Sequence, residues 1–226
     1  MLNTIVKNWL EKSNNLRYRD KKKVAITASI KKANLYGDIS VEDHVKLHGG
    51  ITIHAKSSVV IGAYSSLNGP NVDIIAEVNH VTIGRFCSIA RNVSIQEFNH
   101  DFEKPSTYYF NKNIFNKKNV KDIVSNGPID IGHDVWIGTH SVVLSGTTIG
   151  NGAVIAANSV VRGEVPAYAI YGGSPAKFIK WRFEEAIIEK LKEIEWWNWS
   201  IEKIKANESF FLNKLTTESF DKIVNI

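Results

Sequence analysis

The sequence predicts an all-β fold in which the chain winds as a parallel coil of short strands, three to a turn. Two regular blocks and a looser third carry that expectation. Residues 131–166 divide into six consecutive hexads, IGHDVW, IGTHSV, VLSGTT, IGNGAV, IAANSV and VRGEVP, led by Ile131, Ile137, Val143, Ile149, Ile155 and Val161. Residues 83–100 take the same cut as IGRFCS, IARNVS and IQEFNH, led by Ile83, Ile89 and Ile95. Farther upstream, Val41, Leu47, Ile53 and Val59 also stand six apart. Neither strict alternation nor the helical period generates a six.

Each element follows from that period. A hexad is one short strand plus a turn, and three hexads close a triangular coil with an Ile or Val at every corner. The second position is small at Gly132, Gly138, Gly150 and Ala156 because the chain bends there and a Cβ would crowd it. Fifth positions point inward and must be compact: Val135, Ser141, Thr147, Ala153, Ser159 and Val165. Cys87 falls at a fifth position, which reads as a small buried core residue and argues against a thiol acyl-enzyme. It is the single cysteine, so an intrachain disulfide is excluded and a reducing, cytoplasmic location is expected.

Flanking segments change character. The chain has 226 residues, 43% of them hydrophobic, and a formal charge of +5, with Lys21, Lys22 and Lys23 forming a run near one end. A solvated tail accounts for that run, with an anionic partner as the alternative. Residues 1–23 read as an amphipathic helix with Leu2, Ile5, Val6, Trp9 and Leu10 on one face. Such a helix caps the open end of the coil or packs on a neighbour; peripheral attachment to a membrane surface is its other use. No stretch approaches the roughly 18–20 apolar residues of a membrane span, and MLNTIVKNWLEKSNN lacks a secretory core and cleavage site. The prism is expected over 24–176, interrupted by an excursion at about 97–128, and a helical segment follows over 177–226. There FEEAIIEKLKEI reads as a helix that WWNWS packs against the prism, and Ser200 as the N-cap of IEKIKANESFFL.

Six segments resemble the xenobiotic acetyltransferase branch of the hexapeptide-repeat acyltransferases: IGRFCSIA, NHDFEKPSTYYF, IDIGHDVWIG, IAANSVV, YGGSPAKFIKWRF and WWNW. The likeness runs in order from about residue 80 to 204. That branch holds the hexapeptide-type chloramphenicol and streptogramin acetyltransferases and relatives that acetylate sugars in surface polysaccharides. The resemblance implies a left-handed parallel β-helix with an excursion loop and flanking N- and C-terminal α-helices, a handedness that departs from the usual right-handed crossover. It also implies a homotrimer with acetyl-CoA in the cleft between adjacent subunits, as co-substrate, with no metal and no nucleic acid. The loop pushed out of the helix carries the catalytic histidine, here His100. Asn99 and Tyr108 beside it, with Trp136, are the expected acceptor contacts, and Tyr109 stands where the family usually has proline.

The chemistry makes the same demand. A sugar hydroxyl is a poor nucleophile at neutral pH, so acetyl transfer needs a base within hydrogen-bond reach, and imidazole has a suitable pKa. Glu97, Asp101 or a main-chain carbonyl could orient the ring. His44, His48, His54, His80, His133 and His140 lie in the repeating scaffold and read as surface or turn residues. On the register of the related galactoside and maltose acetyltransferases, Thr139 and Ala157 flank the pantetheine arm. On the same register Lys177 and Lys180 meet the nucleotide phosphates. Arg162 and Gly163 replace a Thr-Lys pair there; Arg162 is expected to contact a phosphate and Gly163 to contact the cofactor through its backbone. The long lead before IGRFCSIA favours O-acetylation of a sugar or glycan. Antibiotic acetylation is the second reading and N-acetylation of an amino-sugar nucleotide the third. A zinc hydrase on the same prism needs three convergent histidines, which His133 and His140 do not supply.

Overall fold

The computed structural model describes residues 22–117 and 120–225, so the amphipathic segment expected over residues 1–23 lies almost wholly outside the described residues. The described chain divides into two compact units, one ending at Ile179 and one running from Lys180.

The first unit is a parallel β-helix of about seven turns. Its strands pair coil to coil, and the pairing defines three corner stacks. One runs Val41, Ile61, Ile83, Ile131, Ile149, Val165. The second runs Ile30, Leu47, Leu67, Ile89, Ile137, Ile155, Tyr171. The third runs Leu35, Ile53, Ile74, Ile95, Val143, Val161. The aliphatic residues of these stacks are buried, each worth about 1.5–3 kcal/mol of transfer free energy relative to exposure. Inward Ser and Thr at fifth positions satisfy themselves on turn carbonyls: the Ser159 hydroxyl donates to Ala156 O at 2.6 Å and that of Thr147 to Leu144 O at 2.6 Å. The second-position expectation has a direct steric cause, since a Cβ on Gly84 would lie 2.5 Å from Gly132 O in the next coil.

Two register expectations are corrected. Val59 pairs with Val81 and stands two residues before the corner residue Ile61, in the fifth-position column. The coil is longer than three hexads because the turn after Ile53 is widened. Val165, read from the hexads as a fifth-position residue, pairs with Ile149 in a corner stack, because the last side of the prism is two residues short. The widening is concentrated at the third corner: two extra residues after Ile53, three after Ile74, and after Ile95 the whole segment 97–128.

The second unit is helical. The helix Glu185–Ile194 buries Ile187, Ile188 and Leu191 and ends at Glu195 in the left-handed region, φ 39°. Trp196 and Trp199 meet Phe211 with ring centroids at 5.2 and 6.2 Å, within this unit. Ser200 Oγ accepts from the Lys203 N–H at 3.1 Å, the expected N-cap. The expected helix 201–212 is broken into Ile201–Ala206 and Glu208–Leu212. The buried Asn207 amide replaces the helical bonds there, donating to Lys203 O and Val224 O and accepting from the Val224 N–H. Among the described residues no helix is long and apolar enough to cross a membrane.

Candidate active site

Where the strand Ser94–Gln96 ends, the chain leaves the third corner as an arm that returns at strand Ile129–Ile131. Its root is pinned from both sides. Glu97 is fully buried; its Oε2 accepts from the N–H groups of Glu77 (3.0 Å) and Val78 (2.8 Å), and its Oε1 from Asn79 Nδ2 at 3.0 Å. A buried carboxylate with three donors is satisfied, whereas one left without them would be costly. One coil beyond, Ser145 Oγ accepts from Asn99 Nδ2 at 2.8 Å and from the Asn126 N–H at 3.3 Å, tying the outgoing and returning strands to the prism. Strands Asn99–His100 and Ile123–Val124 then pair antiparallel, His100 opposite Ile123.

His100 is exposed, and its Nδ1 lies 2.7 Å from the carbonyl oxygen of Thr107. A carbonyl can only accept, so Nδ1 carries a proton, and in the neutral ring the lone pair lies on Nε2. Of the three groups considered for orienting the ring, the main-chain carbonyl does so. Glu97 is committed to residues 77–79, and Asp101 pairs with Lys104 at 3.0 Å, the lysine hydrogen bond lowering its pKa. The Tyr109 ring meets His100 edge-on, centroids 5.1 Å apart at 88°. Burial, and then the charges of Glu77 and Asp122, push its phenol pKa up. Tyr109, where the resemblance leads to an expectation of proline, has φ −73°, within the range a proline adopts.

The loop that presents Thr107 is itself clamped. Asp122 Oδ1 accepts from Asn111 N–H at 3.0 Å and Asn111 Nδ2 at 2.8 Å, and Oδ2 from Lys112 N–H at 3.0 Å, at the start of the helical turn Phe110–Asn113. Desolvation raises the Asp122 pKa, but these hydrogen bonds outweigh it and hold the carboxyl below its ordinary value. Tyr108 is exposed, its N–H held by Ser106 Oγ at 3.1 Å.

The other expected site residues separate by corner. Thr139 and Ala157 occupy equivalent turn positions in successive coils at the second corner, linked where Asn158 N–H donates to Thr139 O at 2.9 Å. Trp136, half exposed, leads into this corner. The Thr139 hydroxyl donates to Arg91 O at 2.8 Å and lies 2.9 Å from His140 Nδ1. Exposed Arg162 and Gly163 lie at the third corner, below the arm. Gly163 has φ 73° and nothing within 4 Å of where a Cβ would sit, so its backbone is open from outside. Lys177 and Lys180 are exposed on the strand Lys177–Trp181. His133 Nδ1 accepts from the Arg85 N–H at 2.8 Å, a turn role. Among the described residues no group of three or more His, Cys, Asp or Glu side chains is placed to hold a metal ion. Ser145 and Asp122 escaped the sequence reading because neither lies in a recognisable motif; each acts on backbone that only the folded arm brings near.

Comparison with known proteins adds three kinds of likeness. A family model described as bacterial transferase hexapeptide (six repeats) matches residues 128–163. A protein named probable macrolide acetyltransferase from Lysinibacillus sphaericus is 43% identical over 145 residues, 61% of this chain and 77% of the relative. A chloramphenicol acetyltransferase of Klebsiella aerogenes is 41% identical over 58% of this chain and 65% of its own length. An Escherichia coli K12 protein whose name assigns it to lipopolysaccharide biosynthesis as an O-acetyl transferase is 43% identical over 47% of this chain and 53% of its own. The chain therefore spans just under two thirds of the second relative and about half of the third. Among solved structures, a galactoside acetyltransferase in complex with coenzyme A has a TM-score of 0.52 and 28% identity, over 64% of this chain and 70% of that one. An N-acyltransferase from Bacillus cereus, solved with dTDP and coenzyme A, has a TM-score of 0.59 at 23% identity, over 84% of this chain and 95% of that one, a likeness of fold.

Proposed function

The chain belongs to the hexapeptide-repeat acetyltransferases, and from that premise we propose that it transfers acetyl from acetyl-CoA to a hydroxyl of a sugar or surface glycan, with His100 as general base. The observation that carries this reading is the 2.7 Å bond from Nδ1 to the Thr107 carbonyl on an exposed ring. In the neutral ring this bond leaves the lone pair on Nε2, which supports a role for it as base. Nε2 takes the acceptor's hydroxyl proton as oxygen attacks the thioester carbonyl carbon, and the carbonyl electron pair moves onto its oxygen. On collapse the C–S bond breaks and the imidazolium returns the proton to the departing sulfur. The products are an acetyl ester and free coenzyme A thiol.

A homotrimer supports this chemistry geometrically. Thr139 and Ala157, the expected pantetheine contacts, sit one side of the triangle away from the corner that bears His100. Six residues at about 3.3 Å each make that roughly 20 Å. A thioester that touches both is best served by the second corner of one copy facing the third corner of the next. On this arrangement Trp136 borders the thioester, Asn99 and Tyr108 border the acceptor, Gly163 offers backbone, and Arg162, Lys177 and Lys180 supply cations for the nucleotide phosphates.

Antibiotic acetylation is the second reading, favoured by the names of two relatives and by exposed Phe102, Ile114 and Phe115 on the arm, which suit an apolar drug. The test is thiol release from acetyl-CoA with a panel of neutral oligosaccharides, nucleotide sugars, chloramphenicol, a macrolide and a streptogramin. Glycan-dependent release that falls about 100-fold or more in His100→Ala supports the proposal. Release with the drugs alone replaces it by the second reading, and undiminished release in His100→Ala removes the histidine base.

A further inference from the structure

We propose that the third corner, in the coils just before the arm, is a second carbohydrate subsite: it holds a neutral sugar unit of the acceptor while a neighbouring unit presents its hydroxyl to His100. This rests on the reading of the chain as a glycan O-acetyltransferase and extends it to the class of acceptor, an oligosaccharide rather than a lone sugar or a phosphorylated one.

Three observations lead there. The first is the scaffold. The extra residues after Ile53 and Ile74 widen the same corner that carries the arm, and they border an open recess of about 450 Å³ lined by Tyr36, Asp38, His54, Lys56, Ser57 and Glu77. That volume lies within the roughly 300–1,000 Å³ of small-ligand sites. The second is the lining chemistry. Tyr36 and His54 stack across adjacent coils, ring centroids 4.6 Å apart at 16°, giving an ordered aromatic wall surrounded by hydroxyl, carboxylate and ammonium groups. Apolar ring surface beside dense hydrogen-bonding capacity matches a pyranose, which has both C–H faces and a rim of hydroxyls. Lys56 lies 3.7 Å from the Glu77 carboxylate, which offsets its charge, and Asp38 leaves the lining carboxylates in excess. A phosphate or carboxylate on the ligand would meet that excess, so a neutral sugar is the class that fits.

The third is continuity with the reaction centre. Glu77 lines the cavity, its N–H is bonded to Glu97 at the arm's root, and its carboxylate is one of the charges felt by Tyr109. Tyr109 in turn touches His100. At about 4.8 Å per coil, the Ile53 coil lies roughly 10 Å before the coil from which the arm departs, a span of one to two sugar units.

The experiment uses the full chain and three probes without acetyl-CoA: maltotetraose, the N-acetylglucosamine tetramer, and an anionic galacturonic acid tetramer. The readout is the imidazole Cε1–H signal of His54, assigned by its loss in His54→Ala. We expect it to move with at least one neutral tetramer and not with the anionic one. In turnover, His54→Ala and Tyr36→Ala should raise KM for that tetramer about tenfold, leaving kcat, KM for acetyl-CoA and KM for the matching monosaccharide unchanged. His54→Gln, which keeps a hydrogen-bonding group, should recover part of the loss. A silent His54 signal with both neutral tetramers overturns the subsite, as does preference for the anionic tetramer. So does loss of the oligomer in His54→Ala by light scattering, which would make the corner a contact between copies. Movement of His54 without any thiol release would instead retain the subsite and defeat the transferase reading on which it rests.

Discussion

The His100 ring is oriented by one main-chain acceptor, the Thr107 carbonyl oxygen at 2.7 Å. The position of His100 is legible in the sequence because the hexads stop around it. Thr107's carbonyl is not, since which main-chain oxygen faces an imidazole depends on the course of the folded loop. Glu97, one candidate to orient the ring by its place in the sequence, instead holds residues 77–79, a role that only its complete burial reveals. Cys87 was legible from its fifth-position place alone. It is 1% exposed, and burial raises its thiol pKa to about 12. An acid with a raised folded pKa stays protonated in the native state after the unfolded chain has ionised. Stability should therefore be unaffected below the ordinary value of 9.0 and erode as pH climbs from there toward 12. At pH 8 the native chain should not react with a disulfide reagent such as DTNB and should titrate one thiol once unfolded in guanidinium; rapid native reaction would refute the buried placement.

At the scale of elements, the arm is an antiparallel pair on a parallel scaffold, and its hold on the prism runs through Ser145. The strict hexads made the scaffold legible from residue 83 onward. They misled by two residues at Val59 and at Val165, because widened or shortened sides leave the Ile and Val spacing intact while moving the corner. The break at Asn207 was hidden for a related reason: IEKIKANESFFL has ordinary helical composition, and the amide's bonds to Val224 are tertiary. Ser145→Ala would leave the Asn99 amide and the Asn126 N–H without their shared acceptor, a loss of about 1–3 kcal/mol drawn from arm attachment. The expected result is faster proteolysis between 100 and 124 and kcat lowered roughly tenfold or more, with KM for acetyl-CoA little changed, because the Thr139 corner is separate. Unchanged kcat and protease resistance would show that the arm is held elsewhere.

For the whole molecule, the prism puts His100, the proposed base, and Thr139 and Ala157, the proposed pantetheine contacts, on different corners of one chain. Period and motif mark both sets as candidates in the sequence, but which corner each occupies depends on counting coils through an irregular start, and the relation between copies is a matter of assembly. In the proposed trimer one cleft takes His100 from one copy and the Ala157 corner from the next, and mixed assembly probes that sharing. His100→Ala lacks the base, and Ala157→Trp fills the exposed turn where the pantetheine would lie; each alone should be inactive as an intact oligomer. Refolded together in equal amounts and assayed for thiol release, they should recover about a quarter of wild-type activity, the share of clefts that receive both intact corners under random assembly of a cyclic trimer. Mixtures as inactive as either parent, or activity in either variant alone, would contradict it.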